Sequence, residues 1–112
     1  PAWRLKQVTA LIAERLSDGI SVEEMARFVG LSPDHFVRSF AAATGKTPHQ
    51  WLTEMRIERA KGLLRDPSAT TTLIALELGY SSPSHFSSRF RQVVGMSPTT
   101  WRQTFLADQA RA

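Results

Sequence analysis

Apolar residues recur along this chain at steps of three and four, and nowhere do they alternate with polar ones over a strand's length. Phe36, Phe40 and Ala43 share one side of a helix, as do Phe86, Phe90 and Val93. Trp51, Leu52, Met55, Ala60, Leu63 and Leu64 form one stripe on a helix of about 18 residues, roughly 27 Å long. These segments are punctuated at both ends. Ser32-Pro33, Thr47-Pro48, Ser82-Pro83 and Ser97-Pro98 each supply a capping hydroxyl, followed by a proline whose missing N–H costs nothing in a first turn. Ser21 with Glu24, and Thr47 with Gln50, fit capping boxes. Gly30, Gly45, Gly79 and Gly95 stand where helices end in a left-handed residue. The pattern predicts an all-α fold of seven helices, at about 3–17, 21–29, 33–43, 48–65, 71–78, 83–93 and 98–106.

Much of this is said twice. Met25-Ala26, Gly30, Phe36, Phe40, Gly45, Pro48 and Trp51 recur as Ile74-Ala75, Gly79, Phe86, Phe90, Gly95, Pro98 and Trp101. One extra residue, Ser81 or Ser82, lengthens the turn of the second copy. Two copies are too few for a solenoid, so this is a duplicated unit. In each, a short helix stops at glycine, a few residues turn, and a second helix follows, which is the helix-turn-helix arrangement. The expected division is residues 1–46 and 67–112 as two helix-turn-helix subdomains, with 47–66 as a linker helix. A rod of that length suits two recognition helices set about one DNA turn, roughly 34 Å, apart.

Charge sharpens this picture. The 112 residues carry 14 Lys and Arg against 10 Asp and Glu, and the excess lies late in the chain. Residues 1–77 hold ten basic side chains against nine acidic ones, residues 78–112 four against one. An acidic partner is expected, with nucleic acid foremost. The absence of cysteine removes disulfides, thiolate metal sites and a cysteine nucleophile, and suits a reducing, cytoplasmic setting. No apolar run is long enough to span a membrane, and "PAWRLKQV" lacks the apolar stretch of a signal peptide.

Helical geometry selects the exposed faces. With Phe36 at 0°, Asp34 and Arg38 lie at about 160° and 200°, opposite the buried side, with His35, Ala41 and Ala42 flanking. On the second helix Ser84, Ser88 and Arg91 point outward beside His85. The paired histidines, from separate units and without carboxylate or cysteine at ligand spacing, make a poor metal site and read as packing or phosphate contacts. Trp51 and Trp101 suit core packing rather than base stacking. Lys6, Arg15, Arg56, Arg59, Lys61 and Arg65 read as solvated-face residues, offset on the linker by Glu54 and Glu58. No catalytic residue and no cofactor is expected.

The stretch "EEMARFVGLSPDHFVRSF…TGKTPHQWLTEMRIERAKGLL" followed by "IALELGYSSPSHFSSRFRQVVGMSPTTWR" resembles the DNA-binding domain of the AraC/XylS family of bacterial transcription regulators, from about Leu5 to Arg102. The resemblance rests on the two units, on Arg56 and Ala60 in an Arg-x-x-x-Ala pattern, and on Gly-x-Ser/Thr-Pro closing each copy. It implies seven helices, two recognition helices, double-stranded DNA and RNA polymerase as partners, and an effector or dimerisation domain on a missing N-terminal part. It also places base contacts at Asp34, Val37, Arg38, Ser84 and Ser88. Family members often carry arginine two residues after the first phenylalanine of each recognition helix. Arg38 keeps that pattern, whereas the second copy has Ser88 there and Arg89 one step later, so Arg89 reads as a phosphate contact or an intramolecular partner. The expected DNA-binding set is Asp34, His35, Val37 and Arg38 with Ser84, His85, Ser87, Ser88, Arg89 and Arg91. The competing reading is a helical protein-interaction module. A DNA-repair alkyltransferase fused to such a domain would need a nucleophilic cysteine.

Overall fold

A computed structural model describes residues 2–112 of the chain. Seven helices account for its regular structure: α1 Ala2–Glu14, α2 Val22–Val29, α3 Pro33–Thr44, α4 Pro48–Leu64, α5 Thr71–Glu77, α6 Pro83–Val94 and α7 Pro98–Arg111. There is no strand among the described residues, and none of the helices is long and apolar enough to cross a membrane. The chain divides into two compact units, the first reaching to Met55 and the second running Arg56–Ala112, so α4 belongs to both.

The hydroxyl-proline punctuation works as its chemistry requires. Ser32, Ser82 and Ser97 are extended, and their Oγ atoms accept from the N–H of His35, His85 and Thr100 at 3.3, 3.1 and 3.1 Å respectively. Thr47 and Gln50 cap each other reciprocally: Gln50 N–H donates to Thr47 Oγ1 at 3.1 Å, and Thr47 N–H to Gln50 Oε1 at 2.9 Å. Each such cap stabilises its helix by about 1 kcal/mol. At Gly30 and Gly79 the backbone turns left-handed, with φ of 75° and 82°. The next N–H reaches back in the same way in both copies, Leu31 to Ala26 O at 2.9 Å and Tyr80 to Ala75 O at 3.0 Å. The copies therefore match through Tyr80, and Ser81 is the added residue of the second turn.

In the first unit Val8, Ile12 and Leu16 meet Met25, Ala26, Val29, Phe36, Phe40 and Leu52. In the second, Ile57, Ala60 and Leu64 meet Ile74, Ala75, Leu78, Phe86 and Phe90. A ladder of rings repeats: Phe36–Phe40–Trp51 at 5.7 and 5.6 Å between centroids, and Phe86–Phe90–Trp101 at 5.8 and 6.4 Å. Both tryptophans are thus packing residues, as expected. Full burial of Phe86 and Phe90 contributes about 1.5–3 kcal/mol for each ring.

Four expectations need correction. The apolar positions of α4 are not one stripe. Trp51, Leu52 and Met55 join the first core, while Ile57, Ala60 and Leu64 join the second and fall on a different face of the helix at about 100° per residue. Val93, expected inside, is 44% exposed, and Ala43 is exposed at the matching place; on α6 the next residue, Val94, packs against the core instead. α1 ends at Glu14 in a turn closed by Gly19 N–H on Arg15 O at 3.0 Å, although Leu16 beyond it remains buried. α7 continues to Arg111, since no breaker follows Leu106.

Candidate nucleic-acid interface

The helix after each turn is held from behind by its phenylalanine pair, which leaves the opposite face to solvent. On α3, Asp34 and Arg38 are exposed, and Val37 is half-buried between that face and the core. His35 is exposed too, but it lies on the rim of a groove of about 680 Å³ lined with Leu5, Val8, Phe36 and Phe40, off the Asp34–Arg38 ridge. On α6, Ser84, Ser88 and Arg91 are exposed and Ser87 is half-buried. The structure thus presents Asp34 and Arg38 together on one helix, and Ser84, Ser88 and Arg91 together on the other.

His85 and Arg89 are tied into their own unit. The His85 ring stands edge-on to Tyr80, 5.4 Å between centroids, with Nδ1 3.4 Å from Ser81 Oγ. The residue inserted in the second turn therefore touches the first turn of α6. Arg89 is half-buried, and its Nη1 donates to Gln92 Oε1 at 3.3 Å. Burial pushes the Tyr80 hydroxyl up in pKa, against the pull of the nearby Arg56 and Arg89 charges. The Arg56 guanidinium also lies 5.4 Å from the centre of the Tyr80 ring.

Several basic residues read as solvated are engaged in the structure. Arg15 Nη1 donates to Glu24 Oε2 at 2.7 Å and Nη2 to Gly19 O at 3.1 Å; the guanidinium holds the Glu24 carboxyl below its usual range. Lys61 pairs with Glu58 at 3.3 Å, and Arg65 lies 5.1 Å from the Phe105 ring centre; Lys46, outside that set, pairs with Glu54. Arg102, near the end of the repeat, gathers the end of α4. Its Nε donates to Leu64 O at 2.9 Å, and its Nη2 to Asp66 O at 3.3 Å and to Ala69 O. Two surface residues were missed in the sequence. Gln92 is exposed one turn beyond Ser88, and counting four onward from Ser84 and Ser88 would have found it. Arg102 gave no such signal, because its acceptors are backbone carbonyls 33 to 38 residues away. Among the described residues no group of three His, Cys, Asp or Glu side chains is placed to hold a metal ion.

Residues 25–104 match the family model of a helix-turn-helix domain. The chain also superposes on a transcriptional regulator from Chromobacterium violaceum, described as of AraC-type DNA-binding-domain proteins, with a TM-score of 0.82, 30% identity and 89% of each chain covered. The chain belongs to the AraC-type helix-turn-helix family. Among solved AraC-type neighbours, the DNA-binding domain of AdpA, in complex with a target DNA, matches at a TM-score of 0.87 and 30% identity over 96% of this chain and 97% of that one. The MmsAB operon regulatory protein of Pseudomonas aeruginosa is 35% identical over 94 residues, which are 84% of this chain and 31% of that protein. The activator RhaS of Escherichia coli is 33% identical over 102 residues, 91% of this chain and 37% of RhaS. This AraC-type chain therefore spans about a third of the length of such curated relatives.

Proposed function

We propose that the chain is the DNA-reading domain of a transcription regulator, binding double-stranded DNA in a sequence-specific manner with α3 and α6 in successive major grooves. The observation that carries this reading is the duplicated polar ridge, Asp34–Arg38 and Ser84–Ser88, presented opposite the two phenylalanine pairs. The similarity to the AdpA domain bound to its target DNA supports it. In this reading Arg38 contacts base edges, since a guanidinium bonds guanine O6 and N7 together, whereas Ser84 and Ser88 read more permissively. Asp34 and Val37 adjoin Arg38 in the groove. His35, His85, Ser87 and Arg91 serve phosphates or the groove edge. Residues 47–66, centred on α4, act as the linker between two readers.

The family likeness supports contact with RNA polymerase. The greater length of the curated relatives supports a further effector or dimerisation domain N-terminal to this one. A cytoplasmic location fits that reading.

The test is a salt titration on a duplex selected from a random pool. Submicromolar affinity is expected at low salt, and log affinity should fall linearly with log salt as phosphate contacts release counterions. Absence of affinity for every selected duplex would overturn the reading.

A further inference from the structure

Asp34, Arg38 and Ala42 stand four apart on α3, and Ser84, Ser88 and Gln92 stand four apart at the matching places on α6. All six are exposed. Steps of four drift by only about 40°, so each triplet makes one ridge along its helix. The two ridges distribute their chemistry in opposite ways. On α3 two charged side chains, a short Asp34 and a long Arg38, come first and a methyl closes the ridge; on α6 two hydroxyls come first and a carboxamide closes it. Short side chains at Ser84 and Ser88 let the helix approach a groove floor closely, which brings the third place within reach of base edges.

Gln92 does not present both ends of its amide equally. Arg89 Nη1 lies 3.3 Å from Gln92 Oε1, and a guanidinium has donors only, so the amide oxygen is the bonded partner and the NH2 group is turned away from it. We propose that Gln92 is a specificity-determining residue of α6, held by Arg89 as a double hydrogen-bond donor toward a guanine edge. Guanine presents two acceptors, O6 and N7, to the major groove. An unrestrained glutamine instead favours adenine, giving to N7 and accepting from the N6 amino group. Arg89 is then a positioning residue rather than a contact. The proposal rests on the DNA-reading function above and adds to it the residue, the base and the orienting partner.

The test selects bound duplexes from a random pool with the 112-residue chain and its variants. Wild type should yield a motif with guanine at one edge of the part read by α6. Gln92→Ala should flatten that base pair alone and weaken the preferred site about five- to tenfold. Arg89→Met keeps an aliphatic stem and removes the donors; it should convert the same position from guanine to adenine. The double variant should match Gln92→Ala. If Gln92→Ala keeps the whole motif, or Arg89→Met weakens all sequences evenly with no change of base, the proposal is overturned. A wild-type chain that selects no motif removes instead the DNA-reading function beneath it.

Discussion

Arg38 and Arg91 are both exposed cations on recognition helices, yet their neighbours give them different work. Arg38 sits in the middle of the α3 ridge, and in the proposed reading its planar fork meets base edges. Arg91 lies beside the α6 ridge, one residue past buried Phe90, and in the proposed reading it serves backbone phosphates. Arg38→Ala should therefore lose about 1–3 kcal/mol on the preferred site and relax selection at one or two base pairs. Arg91→Ala should weaken every sequence about equally and reduce the salt slope by about one. Titrations by fluorescence anisotropy at several salt concentrations, set beside each variant's selected motif, check both. These outward positions were legible in the sequence because a helix of fixed period with two buried phenylalanines leaves little choice of face. The Arg89–Gln92 bond was legible only in part: Arg89 already read as phosphate contact or intramolecular partner, but a partner three residues on depends on rotamers, which residue order does not fix.

Helix ends are where this chain's local chemistry speaks most plainly. Ser-Pro and Thr-Pro starts and glycine stops were readable because capping is a local contest between side-chain oxygen, backbone N–H and steric limits on φ. The end of α4 is a different case. Its last carbonyl, at Leu64, and those of Asp66 and Ala69 converge on Arg102, a partner from α7 that no local pattern announces. Asp66 itself bonds the N–H and hydroxyl of Ser68 at 3.0 and 2.8 Å, which hold its carboxyl below the usual range. Arg102→Ala should cost about 1–3 kcal/mol, because several carbonyls lose a charged donor at once. Arg102→Lys should recover only part, since an ammonium cannot spread its donors across diverging acceptors. Urea unfolding followed by circular dichroism should show a lower midpoint with an unchanged slope.

Across the whole molecule, α4 is the element on which both units draw. The duplication, the seven helices and the long central helix were all legible, since self-similarity and period survive without any knowledge of contacts. The split of α4 was not, because its two apolar sets follow one another without a break in the sequence and packing is what assigns each to its core. Met55→Pro should remove an interior hydrogen bond and break the helix at about 3 kcal/mol. Affinity for the two-part site should collapse in that variant while most far-UV ellipticity remains; unchanged affinity would mean that the two readers act independently. The same division has a consequence for exchange between relatives. The last α4 residue packed in the first core is Met55 and the first packed in the second is Ile57, with Arg56 between them. A recombination joint at Arg56 transfers each half with its α4 packing partners, whereas a joint at the start of α4 strands Trp51, Leu52 and Met55 against a foreign core, and one at its end strands Ile57, Ala60, Leu63 and Leu64. Shuffling of half-domains, by evolution or in the laboratory, has its natural seam in the middle of a helix rather than in a loop.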